Sequence, residues 1–484
     1  MNNKNKLFAA VAVSALTMAS AVPALALENE FHGMFRLRGI VSNFDDGGGG
    51  SQYSGDPAKP GSLNKKHPGS NTFTDQRARI LYMAKIDDEL KLVTHFEIDS
   101  RWGDNSYNSN GTTRNGGAAI GADSVSLETK NVYLDYSPSA SVNTKLGLQY
   151  YNLGYKGIIL NDDQAGLVVN SKLGSSSLGF AYFRLDDAIG SGGSYIANGT
   201  GQGTTTAAGA TAVVNSHPGK RTRDFLALGG KYGINKDLKV GADYALLYSD
   251  VLRQSQDRTQ IHMVGVNAEY SVGPALLDGF LVYQTGKLGR ADIGGGSQDV
   301  SAFAANVGGR MKAGPGTARL NFLYISGDDS PNSGDRSDFQ TIMERGATTN
   351  AHGFGASEMV MMLDNKYNHT AAQAVVKDLN NNAQGFIGGF LGYDLTIDKF
   401  FAYTNLGFGA IAEDNGFGVA GHPNNFLGTE INTEIGYKPK PNLTVSVVAA
   451  YMVLGDYFKG NAVDVAGGDP ENPYTTRVMV SLAF

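Results

Sequence analysis

The sequence predicts an all-β fold: a transmembrane antiparallel up-and-down β-barrel of about 18 strands (about 16–18), with long extracellular loops and short periplasmic turns. Three observations predict this fold. Apolar and polar residues alternate in segments along the chain, short and long connections alternate between those segments, and the last segment ends in an aromatic residue. Each segment is close to the length of about 9 to 11 residues that a tilted strand needs to cross a membrane.

Charged and polar side chains occupy most alternate positions of two neighbouring segments, 73–86 and 90–102. Because successive side chains of a β-strand point to opposite faces, a period of two predicts strands. The polar residues 87–89 between the two segments predict a hairpin turn. In a soluble sandwich the charged face would meet bulk water, whereas in a membrane barrel it would line a water-filled lumen. The hairpin by itself is compatible with both.

The connections between the predicted strands favour the barrel. Tight turns such as 233–236 and 396–399 alternate with long connections rich in Gly, Ser, Asn, Asp and Thr, of which 327–383 is the longest. A Greek-key sandwich would not keep this order over so many strands. The predicted strands are 31–44, 73–86, 90–102, 125–136, 142–151, 165–172, 177–185, 223–232, 238–248, 260–270, 276–285, 299–311, 317–326, 384–395, 399–411, 427–437, 443–454 and 473–484.

The C-terminal segment YTTRVMVSLAF alternates in the same way and ends on an aromatic residue. The residues on one face are Tyr474, Thr476, Val478, Val480, Leu482 and Phe484. The alternative to a membrane strand is an ordinary last strand of a soluble β domain. The segment resembles the C-terminal insertion signal of Gram-negative outer-membrane barrels, terminal Phe included. The resemblance implies recognition by the barrel-assembly machinery and residence in the cell outer membrane.

The N-terminus predicts export. Residues 1–26 have a basic start, an apolar stretch and a small-x-small site at Ala24–Ala26, which is typical of a cleaved secretory signal peptide. We expect a single mature domain over 27–484. Without Lys4 and Lys6, 38 Lys and Arg face 46 Asp and Glu, and the resulting net charge of −8 argues against nucleic acid as a partner. The absence of cysteine excludes disulfides, thiolate metal sites and attached c-type haem, and no motif predicts a cofactor.

Several stretches resemble bacterial outer-membrane porins: EFHGMFRLRGIV at the start of the barrel, KLGLQYYNLGYKG followed by LNDDQAG in the middle, and the terminal Phe. The resemblance covers the whole mature length and extends to the abundant porins of metal-respiring bacteria. It implies a barrel that lies among outer-membrane lipid and lipopolysaccharide, forms a homotrimer and encloses a channel for small hydrophilic solutes. What carries over is the architecture more than individual residues.

The charged face of the strands is predicted to line the lumen, because an Arg at the lipid midplane costs about 2 to 4 kcal/mol. The predicted lining consists of Arg36, Arg38, Asp75, Arg77, Arg79, Glu97, Asp99 and Arg101. Pairing the first two strands from their loop ends brings Arg38 level with Arg79. The next turn pairs Arg79 with Glu97, Arg77 with Asp99, and Asp75 with Arg101. These charges either hold the wall together as ion pairs or form a selectivity surface.

Two loops are candidates for narrowing the lumen. In the general porins that the chain resembles, the third long loop folds inward; here it follows segment 142–151 and contains Asp162 and Asp163. The rival is the extracellular loop 327–383, whose apolar run 359–363 must pack on something. We expect this loop to plug the lumen or to contact a neighbouring subunit. Apolar residues at helical spacing within it predict helical turns.

The start of the same loop groups oxygen ligands of the kind that calcium prefers. They are Asp328, Asp329, Asn332 and Asp335. Their spacing does not match an EF-hand loop, so a solvated turn is the main expectation and no metal is assigned to them.

The function predicted first is passive diffusion of small hydrophilic solutes and ions through a water-filled channel, since the sequence shows a polar lumen lining and no binding motif. One alternative is a substrate-selective channel for small anions, carboxylates or sugars, because the arginines of the first two strands resemble the basic ladder of carboxylate channels. Another is a barrel sheath around an electron-transfer partner. An enzyme is not expected: His95 shares a face with Glu97 and Asp99, but no nucleophile is placed beside them.

Overall fold

The barrel is described by a computed structural model over most of residues 28–484. The described residues are 28–44, 69–104, 118–121, 127–187, 222–250, 258–289, 297–331, 334–342, 353–363, 374–376, 378–416, 424–459 and 469–484. The predicted signal peptide, 1–26, lies outside them. Within these ranges, no helix is both long and apolar enough to cross a membrane.

The described strands follow one another along the chain with short turns and long connections between them. They are β1 (Glu28–Ser42), β2 (Asn71–Lys85), β3 (Leu90–Arg101), β4 (Leu127–Ser139), β5 (Val142–Asn152), β6 (Asn161–Leu173), β7 (Ser176–Asp186), β8 (Arg223–Gly233), β9 (Leu238–Ser249), β10 (Thr259–Val272), β11 (Ala275–Gly289), β12 (Ser297–Ala313), β13 (Gly316–Ile325), β14 (Asp335–Arg336), β15 (Phe386–Ile397), β16 (Phe400–Ala410), β17 (Phe426–Lys440), β18 (Leu443–Leu454) and β19 (Tyr474–Ala483).

All of these strands except β14 close into one antiparallel barrel of 18 strands. The two-residue β14 pairs in parallel with β12. The barrel closes because β1 pairs with β2 on one side and with β19 on the other. Gly33 and Phe484 complete this seam with backbone hydrogen bonds of 2.7 and 3.0 Å. The predicted barrel is confirmed, and each predicted strand overlaps one barrel strand.

Side chains alternate between the two faces of the wall. In β1, Val41 is exposed on the outer face, whereas its neighbour Ile40 is fully buried in the interior. Aromatic pairs lie on the outer face near the turn ends of the strands: the rings of Phe31 and Tyr82 are 5.0 Å apart, and those of Phe400 and Tyr437 are 4.8 Å apart. Such aromatic belts are typical of the membrane interface, so the outer face fits a lipid environment.

Strand register brings opposite charges together in the first three strands. Across the β2–β3 turn the predicted pairs are confirmed, namely Asp75 with Arg101, Arg77 with Asp99, and Arg79 with Glu97. Between β1 and β2 the prediction is wrong: Arg38 lies opposite Asp75, and Arg79 lies opposite Met34. The Arg38–Asp75 ion pair stabilises this register, although the same register also places Arg36 opposite Arg77. Phe44, which the prediction placed in the strand, lies beyond the end of β1.

Segments of two long connections fold into the barrel, and we call them together the plug. They are 153–160, 334–342, 353–363, 374–376 and 378–384. Their buried apolar residues form one cluster with inward-facing residues of the wall. The backbone joins the two connections, because Gly355 N donates to Lys156 O at 3.0 Å and Ile342 N donates to Ile159 O at 3.3 Å.

The predicted helical turns of the loop 327–383 are wrong for the part that the structure describes. Residues 353–363 form turns and bends without a helix. The reason is that the backbone N–H groups of Val360, Met361 and Met362 donate to a wall side chain, Glu430, and not to carbonyls one helical turn earlier.

Candidate functional site

Arginines and carboxylates of β1, β2 and β3 form a charged surface inside the barrel. Arg38 binds Asp75 through Nε at 2.8 Å and Nη2 at 2.6 Å. Arg77 binds Asp99 in the same way, at 2.6 and 2.5 Å, and its Nη2 lies 3.2 Å from Glu97. Bidentate, charge-assisted pairs of this kind fix the plane of a guanidinium. Each of these arginines is therefore held in one orientation along the wall.

This surface, which we call the arginine wall, carries more positive than negative charge. Its arginines are Arg36, Arg38, Arg77, Arg79 and Arg101, and its carboxylates are Asp75, Glu97 and Asp99. Arg36 lies directly opposite Arg77, so two like charges face each other on neighbouring strands. Arg79 also binds Glu97, yet 30% of its side chain stays exposed to the lumen. Five guanidiniums against three carboxylates leave a surplus of two positive charges.

The third long loop, residues 153–160, reaches from β5 to distant parts of the wall. Tyr155 Oη donates to Asp243 Oδ2 of β9 at 2.6 Å. Lys156 Nζ lies 2.5 Å from Asp278 Oδ2 of β11 and donates to Asn321 Oδ1 of β13 at 2.8 Å. The Tyr155 ring also meets that of Phe280 edge-on, with 5.5 Å between centroids. The tip of the loop is thus braced against three strands.

The backbone at this tip is in the left-handed region at four consecutive residues. The φ angles are 105° at Gly154, 50° at Tyr155, 55° at Lys156 and 90° at Gly157. Glycine adopts this region freely, but Tyr and Lys do so at a cost that surrounding contacts must offset. Sequence reasoning did not identify Tyr155 and Lys156 as lumen residues. The signal that could have found them is the GYKG pattern, with glycine on both sides of two large polar side chains.

The expectation that Asp162 and Asp163 lie in the third loop is wrong, since both belong to β6. The ladder between β5 and β6 extends as far as the pair Asn152 and Asn161, which leaves a shorter loop than predicted. Asp163 accepts a hydrogen bond from Asn131 Nδ2 at 2.8 Å and pairs with Lys130 at 2.8 Å. It therefore joins β6 to β4, while the inward-folded loop presents Tyr155 and Lys156.

The second part of the plug rests on glycines of β16. A Cβ atom at Gly407 would collide with Met359 Sδ, and one at Gly409 would lie 3.0 Å from Met362 Sδ. Glycine at these positions lets the plug approach the wall closely. Met359 and Met362 are both fully buried, so this contact is dry.

A buried polar cluster holds the two halves of the longest loop together. Arg336 binds Asp338 at 2.5 and 2.7 Å, and both side chains are fully buried. Asn380 Nδ2 donates to Asp338 at 2.5 Å and to the backbone oxygen of Phe339 at 2.9 Å. Buried charges are stable only when they are paired and hydrogen-bonded, and this cluster meets both conditions. It fixes the entry and the exit of the loop relative to each other.

The calcium candidates lie at the edge of this cluster. Asp328 accepts hydrogen bonds from Ser330 N at 2.8 Å and Ser337 N at 2.9 Å, and it lies 3.8 Å from Arg336. Asp335 begins the short strand β14. Among the described residues, no three His, Cys, Asp or Glu side chains are grouped as metal ligands.

Two adjoining cavities of about 500 and 330 Å³ lie between the plug and the turn end of β12 and β13. Both are lined by Arg319 and by Glu358 of the plug. The wall of the larger one also carries Lys312 and Asp394, and Arg319 binds Asp394 at 2.8 Å through two nitrogens. Space for water and small solutes therefore continues below the plug, with both signs of charge on its walls.

Solved structures share this architecture, although no family model and no curated protein matches the chain in sequence. Acinetobacter baumannii OccAB4 aligns with a TM-score of 0.52 at 11% identity, over 94% of this chain and 98% of its own. Pseudomonas aeruginosa OccK1 (OpdK) aligns with a TM-score of 0.51 at 13% identity over the same shares. P. aeruginosa OccK2 (OpdF), in complex with glucuronate, aligns with a TM-score of 0.51 at 14% identity, over 94% of this chain and 96% of its own.

These similar structures are outer-membrane porins, and at such identities the likeness is one of fold. The chain has the fold of the Gram-negative outer-membrane porins: a closed 18-strand barrel with loops folded into its lumen. The fold expected from the resemblance is thereby confirmed. The similar structures are channel proteins, and their fold supports an outer-membrane location for this chain.

Proposed function

We propose that the protein is a water-filled outer-membrane channel for passive diffusion of small hydrophilic solutes, with a preference for anions that the arginine wall sets. The observation that carries the proposal is the surplus of two positive charges on β1–β3. Fixed positive charge on a lumen wall raises the local concentration of anions and lowers that of cations. The alternative is that these charges only hold the wall together as ion pairs.

The position of the plug supports this proposal. Its hydrogen bonds to the wall run to β9, β11, β13 and β17. In a closed barrel of 18 strands, β11 lies nine strands from β2 and therefore on the opposite side. The plug is therefore fastened to the side of the barrel opposite β2, and on the arginine wall 30% of the Arg79 side chain stays exposed to the lumen. Permeating ions then pass this charge at short range.

The test is the current through the purified protein in a planar bilayer under a KCl gradient. Stable ohmic steps are expected from an open channel, and the reversal potential should have the sign of a chloride preference. A folded, inserted protein that carries no current would contradict the channel. It would favour the sheath hypothesis, which co-purification of an electron-transfer partner would then test.

A second candidate is a channel that selects small carboxylates. Two observations favour it: 30% of the Arg79 side chain is exposed to the lumen, where a guanidinium can bind a carboxylate, and the similar structure of OccK2 is in complex with glucuronate. Glucuronate added to one side of the bilayer should then reduce the KCl current in a saturable way. A linear, unsaturated effect up to high concentration would favour simple diffusion.

We further propose that residues 1–26 are removed on export and that the barrel works as a homotrimer, as in the porins that it resembles. The apolar outer face, with residues such as Val307, Leu320 and Ile435 exposed, supports contact with lipid or with a second copy. Current steps that appear and close in groups of three would support the trimer. Independent single steps at every protein concentration would contradict it.

A further inference from the structure

We propose that Glu430 anchors the plug and thereby sets the aperture of the channel. Its side chain projects from β17 into the barrel and is fully buried. It acts as a positioning residue: it holds residues 360–362 against the wall, and the width of the passage follows from where that segment lies. The inference rests on the proposed channel function, because only a conducting barrel has an aperture.

Three consecutive backbone N–H groups converge on this one carboxylate. Val360 N donates to Oε1 at 2.7 Å, and Met361 N and Met362 N donate to Oε2 at 3.0 and 2.7 Å. Asn432 Nδ2 adds a fourth bond, to Oε1 at 2.9 Å. Hydrogen bonds to an ionised carboxylate are stronger than those between neutral groups. With both oxygens engaged, the carboxylate fixes the position and the orientation of the segment.

A second layer of the plug depends on the anchored segment. Val375 N donates to Met361 O at 2.8 Å, and Val376 N donates to Met362 O at 3.0 Å. The N–H groups of 360–362 thus face the wall, while carbonyl groups of the same segment hold residues 374–376. Loss of the bonds to Glu430 would therefore loosen both layers together.

Glutamine keeps the shape of the side chain but cannot keep these bonds. In Glu430→Gln, one oxygen becomes an NH₂ group, which would face backbone N–H donors. A buried N–H without an acceptor is unfavourable, so the segment gains by leaving the wall for water. The strand itself does not depend on the carboxylate, because β17 pairs with β16 and β18 through its backbone. We therefore expect a folded barrel with a displaced plug.

The position of the segment can be measured directly because the chain has no cysteine. Met361 is fully buried, so a single Met361→Cys substitution should react slowly with a water-soluble maleimide. Adding Glu430→Gln should speed this labelling by about tenfold or more, since two charge-assisted acceptors are lost. Glu430→Asp keeps the charge and should restore most of the protection.

The aperture is read from liposome swelling with sugars of increasing size. Glu430→Gln should admit larger sugars than the parent protein does. Glu434→Gln is the matched control, since Glu434 lies four residues further along the same face of β17; it should leave both the labelling and the size limit unchanged. This control separates loss of the anchor from loss of a lumen charge.

Two outcomes would overturn the inference. In the first, a folded, conducting Glu430→Gln barrel keeps the labelling rate and the sugar size limit of the parent protein. In the second, Glu434→Gln changes both readouts as much as Glu430→Gln does. Fast labelling in Glu430→Gln supports the anchor even if no variant conducts. In that case the proposed channel function fails and the anchoring role of Glu430 stands. If the parent protein conducts and Glu430→Gln keeps the parental labelling rate and size limit, the channel function stands and the anchoring role of Glu430 fails. The two failures are therefore distinguishable.

Discussion

Replacing Arg79 with glutamine removes one positive charge from the arginine wall, at a side chain that is 30% exposed. The strand should keep its structure, because Glu97 retains Arg77 as a partner at 3.2 Å. An anion that passes at about 5 Å from a unit charge gains about 0.8 kcal/mol in the dielectric of bulk water and about 3 kcal/mol at an effective dielectric constant of about 20. Even the smaller energy corresponds to about a fourfold change in local anion concentration.

We therefore expect the chloride-to-potassium permeability ratio of Arg79→Gln to fall by about fourfold or more, read from the reversal potential under a KCl gradient. Arg79→Lys keeps the charge and should keep the ratio. At about 1 M salt the Debye length is about 3 Å, so the difference between the parent and Arg79→Gln should shrink. An unchanged ratio at low salt in a folded, conducting Arg79→Gln channel would refute the claim that this wall sets selectivity.

The remaining predictions concern the plug and the barrel seam. Lys156→Met removes the contacts of the third loop with β11 and β13, so single-channel records should show noisier current with frequent partial closures. Gly407→Val places a side chain against Met359 and destabilises the seated plug by about 1 to 3 kcal/mol. The plug should then leave the wall, and the conductance should rise. Gly39→Val is the control: a Cβ atom there would have nothing within 4 Å, so the conductance should stay unchanged. Deleting Phe484 removes its two backbone hydrogen bonds to Gly33 of β1. The barrel should then fold more slowly, measured as slower appearance of the folded band in gel electrophoresis of unheated samples.

The wall could be predicted from the sequence because the forces that pattern a membrane strand are local. Each side chain of a barrel strand meets lipid or water, so a period of two reveals both the strand and its polar face. Between β2 and β3 a short turn fixes the register, and the three predicted charge pairs there are confirmed. The members of the arginine wall were found for the same reason.

Neither the register of two strands joined by a long connection nor the position of the plug is set by residues that are close together in the sequence. Because residues 43–70 separate β1 from β2, no short turn fixes the alignment of the two strands, and in the structure Arg38 pairs with Asp75. The tip of the third loop finds its partners far along the chain: Tyr155 and Asp243 are 88 positions apart, and Lys156 and Asn321 are 165 apart. These residues meet only when the barrel closes, so a short segment of the sequence cannot reveal their contacts.

The inward face of the barrel is used in two opposite ways. On β16 it is glycine at Gly407 and Gly409, so methionines of the plug pack against the wall without water. On β1–β3 it is charged: Arg38 and Asp75 are buried in their ion pair, whereas 30% of the Arg79 side chain stays exposed to the lumen. Apolar residues such as Met359 would leave the exposed charge poorly hydrated if they moved onto the arginine wall, which is unfavourable. A plug released at Glu430 should therefore enter the lumen water and not settle on the arginine wall, so the passage through the barrel widens.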